Sequence, residues 1–412
     1  MTRLGAFLEE TLGPDLPVAV RAWDGTDIGP ADAKATIVIR SPDALRRILL
    51  RPGELGFARA YVAGDADIEG DIYELFRLRD RFPSPRLTPS QTWRLLRLLD
   101  LRHLRPLAPP PEEMPRRRYG LHTLRRDEES VRHHYDVSNR FYELVLGPAM
   151  TYSCALFDPP EASLVEAQSA KHELICRKLA LRPGLRLLDV GCGWGAMARH
   201  AAEHHGVEVV GVTLSPVQAE WARSASRDAG LADRIDIRVQ DYRLVDDGPF
   251  DAVSSVGMFE HVGARRMGLY FGHLHGLVRT GGRLLNHAIS RPAAQPPGID
   301  HDSFIGRYVF PDGELIEVGA VVTAMQSAGF EARHTESLRE QYARTLRHWV
   351  ANLEQNWDEA VAEVGPARAR IWRLYMAGSA AGFEADRIQI HQVLGVKTGT
   401  DGESGMPLRP DW

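Results

Sequence analysis

Near its middle the chain reads Leu187-Leu188-Asp189-Val190-Gly191-Cys192-Gly193-Trp194-Gly195. Aliphatic residues around an acid predict a buried parallel strand, and three glycines at alternate positions predict a tight turn. The composition of residues 196–205 is helical, so a strand, a glycine turn and a helix follow one another. In such an arrangement the backbone approaches a ligand where no Cβ intervenes, and the helix N-terminus faces that ligand. The segment therefore predicts a site for a nucleotide-like molecule.

The spacing of the glycines narrows this prediction. Gly191, Gly193 and Gly195 form G-x-G-x-G, and residue 196 is not a glycine, so the dinucleotide pattern G-x-G-x-x-G is not met. An acid two residues before the first glycine, Asp189, is similar to motif I of class I S-adenosylmethionine (SAM) methyltransferases. On this motif alone, another Rossmann-type binder or a purely structural glycine turn remain alternatives.

Strands and helices alternate on both sides of this motif. Strands are predicted at 187–190, 207–212, 235–239, 250–256 and 283–289, with helices at 163–181, 196–205, 216–228 and 264–278. This alternation predicts an α/β fold with a Rossmann-like, parallel, doubly wound sheet and its ligand at the carboxyl ends of the strands. The resemblance to motif I implies that this is the fold of a class I SAM-dependent methyltransferase. Residues 330–334 and 338–342 predict a closing antiparallel pair of strands, and the pattern of residues 344–396 is helical.

Composition shifts divide the chain into domains. Residues 1–105 predict a small N-terminal α+β accessory domain, with strands at 18–23 and 35–40 and a helix that Ser41 caps. Residues 106–118 form a linker that holds five prolines between 106 and 115. The catalytic domain is predicted at 119–397, with a lid insertion near 291–315, and residues 398–412 form a loose tail.

Bulk composition limits the class of protein. The chain has 412 residues, of which 44% are hydrophobic and 25% charged, values that exclude a disordered or fibrous protein. No apolar run approaches the length of about 20 residues that a membrane span needs, and the N-terminal residues lack the long apolar region expected of a signal peptide. Cys154, Cys176 and Cys192 have no paired or metal-ligand spacing, so neither a disulfide nor a metal site is predicted. A cytoplasmic protein is expected.

Positive charge is concentrated in one region. Residues 77–118 hold eleven arginines and four acids, a local excess of seven positive charges in a chain whose net charge is −5. Within this region, residues 89–105 alternate leucines with Arg94, Arg97, Arg102 and Arg105, which predicts a basic amphipathic helix. Such a helix either contacts an anionic membrane surface or packs on the protein with solvated arginines.

Several short segments occur in an order that resembles the cyclopropane-fatty-acyl-phospholipid synthase and mycolic-acid cyclopropane synthase family of SAM-dependent methyltransferases. The segments are His134-Tyr135-Asp136, Thr151-Tyr152-Ser153-Cys154, the motif at 187–195, Gly211-Val212-Thr213-Leu214-Ser215 with Gln218, Met258-Phe259-Glu260-His261-Val262-Gly263, His287-Ala288-Ile289 and Gln341-Tyr342-Ala343-Arg344-Thr345-Leu346 with Trp349. The resemblance covers roughly residues 119–396 and is more specific than motif I alone.

The resemblance implies that SAM donates a methyl group to a cis double bond of an acyl chain. A carbocation forms, a base removes a proton from the new methyl group, and a cyclopropane ring closes. In this family the base is a bound bicarbonate ion. The resemblance assigns its cradle to five positions, which are Cys154, Glu260, His287, the Ile289 backbone and Tyr342.

The resemblance also assigns the cofactor site. Gly191, Gly193 and Gly195 would line the methionine end beside Asp189, with Tyr152 and Ser153 over the carboxylate. The second strand lacks the terminal acid that usually binds the ribose, so polar contacts to the nucleoside fall to Thr213 and Gln218 next to Leu214. Asp241 is placed for the adenine amino group. Tyr242 would stack on the ring, although many relatives have tryptophan there.

The resemblance implies unsaturated phospholipids at the anionic inner face of the cell membrane as partners, and a homodimer. A second outcome of the same chemistry is a methylene-branched acid, the precursor of a methyl-branched one, and nothing local separates the two products. A nucleic-acid methyltransferase is disfavoured, because Asp158-Pro159-Pro160 lacks the aromatic residue of a base-flipping signature. A non-catalytic lipid-binding protein is also disfavoured, because such a protein would not need Cys154, Glu260, His287 and Tyr342.

Overall fold

A computed structural model describes residues 2–13, 16–81, 88–98, 107–114, 138–295, 300, 302–311 and 313–412. The His134-Tyr135-Asp136 segment and residues 99–105 of the predicted basic helix lie outside the described residues. Two compact units divide the chain. The first comprises residues 1–117, 300–311 and 357–381, and the second comprises residues 118–299, 312–356 and 382–412.

The first unit contains a four-stranded sheet in the order β2-β1-β3-β4. Its strands are β1 (Ala19–Ala22), β2 (Asp27–Ile28), β3 (Ala35–Ile39) and β4 (Ala66–Gly70), and β1 runs parallel to β3. The helices are Arg3–Leu12, Pro42–Leu50, Glu54–Val62, Tyr73–Arg81, Pro89–Leu98, Phe304–Tyr308, Trp357–Val364 and most of Pro366–Glu384. The small α+β composition predicted for the N-terminal region is therefore present.

Local sequence explains how these elements begin. The Ser41 hydroxyl accepts a hydrogen bond from the Asp43 N–H, and Pro42 occupies the first turn of its helix, as the sequence predicts. The predicted strands at 18–23 and 35–40 correspond to β1 and β3. Apolar residues from the sheet and the flanking helices form one core, which includes Leu4, Phe7, Val20, Ile39, Ala44 and Leu45.

Two later segments complete the first unit. The Arg373 guanidinium donates to the Tyr61 hydroxyl at 3.2 Å and to the Ile68 carbonyl at 3.1 Å. The Met114 N–H donates to the Arg307 carbonyl at 2.8 Å. The described part of the predicted linker, 107–114, and residues 302–311 of the predicted lid therefore belong to this unit.

The second unit contains a seven-stranded sheet in the order β10-β11-β9-β8-β5-β6-β7. Its strands are β5 (Arg186–Val190), β6 (Glu208–Thr213), β7 (Ile235–Val239), β8 (Phe250–Val256), β9 (Val278–Ser290), β10 (Glu331–Ser337) and β11 (Gln389–Val396). The neighbouring strands β9, β8, β5, β6 and β7 are parallel to one another. Strand β11 pairs antiparallel with β9, and β10 pairs antiparallel with β11. This is the doubly wound α/β sheet that the sequence predicts.

Helices cover both faces of this sheet because its strands are apolar on both sides. Leu187 packs among the helices Leu164–Leu179, Ala196–His205 and Pro216–Asp228, whereas Leu188 packs towards Met267–Leu277 and Val318–Ser327. The helices Asn139–Leu146 and Arg339–Gln355 complete the unit, together with the 3₁₀ turns Tyr242–Leu244, Phe259–His261 and Ala264–Arg266.

Two predictions near the C-terminus are wrong. Residues 338–342 are not a strand, because helix Arg339–Gln355 begins there, and β10 pairs instead with β11. The helical pattern predicted for 344–396 ends early, since Gln389–Val396 is a strand between β9 and β10. Its run of buried residues, from Gln392 to Val396, hides the alternation that marks a half-buried strand.

No helix within the ranges given above combines the length and the low polarity that crossing a lipid bilayer would require.

Candidate active site

A cavity lies at the carboxyl ends of β5, β6, β7 and β8, where the sequence predicts the ligand. Ten of the eleven predicted cofactor residues line it: Tyr152, Ser153, Asp189, Gly191, Gly193, Thr213, Leu214, Gln218, Asp241 and Tyr242. The eleventh, Gly195, lies outside the lining at the start of helix Ala196–His205.

The glycine turn brings the backbone to the cavity. Gly191 and Gly193 have φ values of +78° and +53°, which residues with side chains rarely adopt. The N–H groups of Gly191 and Cys192 both donate to the Val212 carbonyl, which ties the turn to the end of β6. Gly195 has a φ of +73°, and a Cβ there would lie 3.0 Å from the Cβ of Ala222.

Asp189 is a buried acid at the end of β5. Its Oδ1 accepts a hydrogen bond from the Ser254 hydroxyl at 2.7 Å, while Oδ2 has no partner among the described residues. Burial raises the pKa of Asp189 to about 6. A buried acceptor beside the cavity fits a ligand that carries hydrogen-bond donors, such as the ammonium or hydroxyl groups of SAM.

Lys171, which motif reading missed, lies on the same side of the cavity. Its Nζ donates to the Ser153 hydroxyl at 2.9 Å, and the side chain is almost fully buried. Burial lowers the pKa of Lys171 to about 7, although the nearby Cys154 and Asp189 act to raise it. Helix Leu164–Leu179 carries this lysine at a position that no spacing rule distinguishes from a surface lysine.

The nucleoside side of the cavity is built from the ends of β6 and β7. The Thr213 hydroxyl donates to Gln218 Oε1 at 2.9 Å, and Ser215 caps the helix that carries Gln218. Because the amide oxygen of Gln218 is engaged by Thr213, its NH₂ group is left to face a ligand. The end of β6 has no acid, and the oriented NH₂ group of Gln218 offers a hydrogen-bond donor to a ligand there instead.

Asp241 follows β7 and is bound on both oxygens by Arg243. The Arg243 Nε lies 2.8 Å from Oδ1 and its Nη2 lies 2.6 Å from Oδ2. The Tyr242 ring contacts the Tyr270 ring edge-on, with centroids 5.0 Å apart. Arg243 also lines the cavity, so the Asp241–Arg243 pair faces it as a unit, which sequence reasoning had not identified.

Aromatic rings connect the glycine turn with helix Arg339–Gln355. Tyr142 lies between Trp194 and Tyr152, with centroid distances of 4.6 and 5.9 Å. Tyr152 is in turn 5.2 Å from Trp349, and the Trp349 ring is 6.0 Å from Tyr342. The predicted cofactor residue Tyr152 and the predicted catalytic residue Tyr342 therefore belong to one packed aromatic row.

Glu260 lies in a 3₁₀ turn after β8, and β9 holds its carboxyl group. Its Oε1 accepts a hydrogen bond from the Ile289 N–H at 2.6 Å. Its Oε2 is shielded from solvent and is without a hydrogen-bond partner in the described part of the chain. Burial raises the pKa of Glu260 to about 7, so the group can gain or lose a proton near neutral pH.

His287 lies two residues before Ile289 on β9 and is buried. Its Nδ1 is 3.0 Å from Nε2 of Gln392, while its own Nε2 finds no partner among the residues described. Burial holds the pKa of His287 well below its usual range, so the imidazole is neutral. Glu260 and His287 thus each present one unsatisfied polar atom beside the same strand segment.

The remaining catalytic candidates reach this segment through a chain of contacts. The Cys154 Sγ lies 3.7 Å from the Leu338 carbonyl, and the Leu338 N–H donates to the Ile390 carbonyl at 3.0 Å. Ile390 lies opposite Ile289 in the sheet, and Tyr342 follows Leu338 by one helical turn. None of the five catalytic candidates lines the cofactor cavity, although Cys154 and Glu260 directly adjoin the lining residues Ser153 and His261 in the chain.

The surroundings of Cys154 favour its protonated thiol form. It is fully buried, and burial raises the pKa of Cys154 above its ordinary value. The thiol is therefore a weak hydrogen-bond donor rather than a nucleophile.

The sequence predicts no metal site. In the described ranges one group of possible ligands, Cys176, His200 and His205, has ligand atoms within 4.8 Å of one another. Glu173 Oε2 lies 3.3 Å from His200 Nε2 and 2.9 Å from His205 Nε2. Hydrogen bonding to one carboxylate oxygen accounts for this geometry.

The chain matches known proteins over the region that contains the candidate site. Residues 122–393 match the family model described as mycolic acid cyclopropane synthetase. The chain is 47% identical over 406 residues to a probable fatty acid methyltransferase of Mycobacterium tuberculosis, a match that covers 96% of this chain and 95% of that relative. It is 32% identical over 371 residues to the cyclopropane-fatty-acyl-phospholipid synthase of Escherichia coli, covering 89% and 90%.

Among solved structures, the crystal structure of mycolic acid cyclopropane synthase CmaA1 complexed with SAH and CTAB is similar, with a TM-score of 0.61 and 33% identity. The match covers 65% of this chain and 97% of that one. The family match includes every residue of the cavity and of the Glu260–His287 group.

Proposed function

The chain belongs to the mycolic acid cyclopropane synthetase family of SAM-dependent methyltransferases, and from that membership we propose that it alkylates a cis double bond in the acyl chain of a phospholipid. The observation that carries the proposal is the pair of unsatisfied buried atoms, Glu260 Oε2 and His287 Nε2, beside the cofactor cavity. A methyltransferase that acts on nitrogen or oxygen never takes a proton from the transferred methyl group, whereas ring closure on an alkene requires that step.

The cavity fits SAM by the chemistry of its lining. The unpaired oxygen of Asp189 accepts from donors at the methionine end, and the Gln218 amide and the Asp241–Arg243 pair face the nucleoside end. Bound SAM supplies an electrophilic methyl group. The glycine turn and the aromatic row around Tyr152 would enclose the methionine end of the ligand and exclude water from it.

The reaction begins when the π electrons of the alkene form a bond to that methyl carbon as its C–S bond breaks. S-adenosylhomocysteine leaves, and a carbocation remains on the acyl chain. A base then takes a proton from the added methyl group, and the electrons of that C–H bond close the three-membered ring. The task of the protein is therefore to hold a base near an apolar cation and to keep water away.

The residues around Glu260 fit bicarbonate as this base. If His287 Nδ1 accepts from the Gln392 amide at 3.0 Å, the neutral imidazole carries its proton on Nε2, which can then only donate. Ionised Glu260 Oε2 can only accept. A ligand between them must accept one hydrogen bond and donate another, as bicarbonate does and carbonate does not. Cys154 and Tyr342 complete the cradle in this proposal.

The names of the relatives give a reason to consider a second product, a methylene-branched acyl chain. The relative with 47% identity is named a fatty acid methyltransferase, whereas the relative named a cyclopropane synthase is 32% identical. Loss of the methyl proton after hydride migration leaves a C=CH₂ group, the precursor of a methyl branch. Both products arise from the same cation at the same site.

The substrate is proposed to come from a membrane surface. On helix Pro89–Leu98 the Trp93 side chain is 53% exposed, and the Arg97 guanidinium lies 3.2 Å from its ring centroid. An exposed tryptophan next to arginines is typical of helices that lie at a lipid interface. Arg94 pairs with Glu10, and its Nη1 lies 2.8 and 2.7 Å from the two carboxylate oxygens.

The test is incubation of the purified chain with SAM, bicarbonate and vesicles of cis-unsaturated phosphatidylglycerol. We expect lipids heavier by one CH₂ in the mass spectrum. High-field cyclopropane protons in the NMR spectrum identify the first product, and vinyl protons identify the second. Glu260→Gln should lower turnover by about 100-fold or more with unchanged SAM affinity. The control is Glu166→Gln, an exposed glutamate that also accepts a backbone N–H. Lipids of unchanged mass would overturn the proposal.

A further inference from the structure

Three side chains form one row across β10, β11 and β9 in the second unit. Glu336 lies opposite Gln392 in the sheet register, and Gln392 lies opposite His287. Lys178, from helix Leu164–Leu179, pairs with the Glu336 carboxylate and donates to Gln392 Oε1 at 2.7 Å. Lys178, Gln392 and His287 are all buried.

The chemistry of Lys178 determines the orientation of the Gln392 amide. An ammonium group has three donors and no acceptor, so the atom of Gln392 that faces it must be the oxygen. Burial lowers the pKa of Lys178, and the Glu336 carboxylate beside it acts in the opposite direction and favours the ammonium form. The NH₂ group of Gln392 is consequently directed to the other side of the row, towards His287 Nδ1 at 3.0 Å.

This orientation determines the tautomer of His287. An NH₂ group can only donate, so Nδ1 must offer its lone pair. Burial keeps the imidazole neutral, and a neutral ring has one proton, which must then reside on Nε2. Nε2 is the buried ring nitrogen for which the described residues offer no partner.

We propose that Gln392, oriented by Lys178, is a positioning residue that holds His287 as the Nε2–H tautomer, so that this N–H binds the anionic base of the reaction. The inference rests on the proposed function, because it deepens the role of the same site. With the other tautomer, a lone pair on Nε2 would face the anion and repel it.

The first test measures the tautomer directly in the full chain. Protein labelled with ¹⁵N in its histidine rings gives long-range ¹H–¹⁵N spectra that separate protonated from unprotonated nitrogens, and His287→Gln assigns the signal by its loss. We expect a protonated Nε2 and an unprotonated Nδ1 in the wild type. Gln392→Glu keeps the contact with Lys178 but offers Nδ1 an acceptor, so Nδ1 should become protonated.

The second test measures catalysis. Gln392→Leu should lower kcat by about 10- to 100-fold and raise the bicarbonate concentration for half-maximal turnover, with the SAM dissociation constant unchanged. The control is Gln389→Leu, on the same strand, where the glutamine side chain donates to Asp386 Oδ1 at 2.9 Å. A merely structural role would not move the bicarbonate dependence selectively.

The two proposals fail in different ways. If the wild type leaves lipids unmodified, the proposed function fails, and the NMR spectra still decide whether Gln392 sets the tautomer. If the wild type is active but His287 is protonated on Nδ1, the inference is overturned. It is equally overturned if Gln392→Glu leaves Nδ1 unprotonated, or if Gln392→Leu keeps normal turnover and bicarbonate dependence.

Discussion

The Ile289 N–H donates to Oε1 of the Glu260 carboxylate over 2.6 Å, while Oε2 finds no hydrogen-bond partner among the described residues. Burial raises the pKa of Glu260 from 4.5 to about 7, because the backbone hydrogen bonds that favour the charged form do not compensate the loss of solvent. Between these two values the folded protein binds a proton that the unfolded chain has lost.

We therefore expect the free energy of unfolding to fall as the pH rises from about 4.5 through about 7, because the raised pKa stabilises the fold only below that range. The full effect of Glu260 is roughly 3 kcal/mol. Glu260→Gln does not titrate, so its stability relative to wild type should increase with pH. Urea unfolding at about pH 5 and about pH 8.5 measures the difference. Equal pH dependence of stability in both proteins would show that the pKa of Glu260 is not raised, which would contradict the prediction.

The Asp241–Arg243 pair should contribute to SAM affinity as a unit. Asp241→Asn and Arg243→Met are each expected to weaken binding by about 10-fold, since each leaves the other partner without its charge. The double variant should lose less than the two effects combined, because the pair is lost only once. Isothermal titration calorimetry measures this. Arg238→Met, which removes an arginine paired with Asp236 and Asp247, is the control.

Gly195 should tolerate a side chain poorly. In Gly195→Ala the new Cβ would lie 3.0 Å from Ala222 Cβ, at a φ of +73°. We expect a loss of stability of roughly 2 kcal/mol from the crowding and the backbone conformation together. Adding Ala222→Gly removes the crowding alone, so the double variant should recover only part of the loss in thermal unfolding. Full recovery would mean that the backbone conformation costs nothing.

Glu113 is expected to stabilise the first unit strongly. Burial raises its pKa, but hydrogen bonds from Arg59 and Arg307 outweigh burial, so the pKa of Glu113 is lowered. The Arg59 contacts are 2.6 and 2.7 Å long, and Tyr308 donates at 3.0 Å. Glu113→Gln should cost roughly 3 kcal/mol near neutral pH, because two arginines lose their charge partner.

The effect of Glu113→Gln should shrink in acid, since a lowered carboxyl pKa contributes stability only above the unfolded value and loses it as the pH falls. Denaturant unfolding at two pH values measures this. The control is Glu69→Gln, whose exposed pair with Arg21 should contribute at most about 1 kcal/mol. A Glu113→Gln effect no larger than that of Glu69→Gln would contradict the prediction.

Membrane contact by helix Pro89–Leu98 predicts a specific loss. Trp93→Ser should weaken cosedimentation with anionic phosphatidylglycerol vesicles by several-fold, because an interfacial tryptophan buries its ring among the headgroups. Trp23→Ser is the matched control, since that residue is 39% exposed elsewhere in the same unit. If both variants bind vesicles as the wild type does, the helix is not the lipid-binding surface.

Local signals were sufficient to predict the centre of the fold. The apolar run at Leu187 and Leu188 and the glycines after it specify a strand and a turn by residue type alone, and the cavity lies where that motif places it. Strand β11 was missed because its residues from Gln392 to Val396 are all buried. The strand therefore lacks the alternation of buried and exposed residues that marks a half-buried strand.

Residues that act through distant partners left no such signal. Lys171 and Lys178 occupy a helix whose spacing matches a surface helix, and only folding reveals that both are buried. Gln392 has meaning only beside His287, more than one hundred residues earlier in the chain. The same holds for the first unit, whose later segments have no recognisable boundary in the sequence.

The assembly of that unit from separate segments has a consequence for protein synthesis. The Arg373 side chain bonds to Tyr61, 312 residues earlier. At about 5–20 residues added per second, the N-terminal strands leave the ribosome roughly 15 to 60 s before this partner exists. The N-terminal part of this unit is thus completed late, and until then the apolar surface that the later segments cover stays exposed.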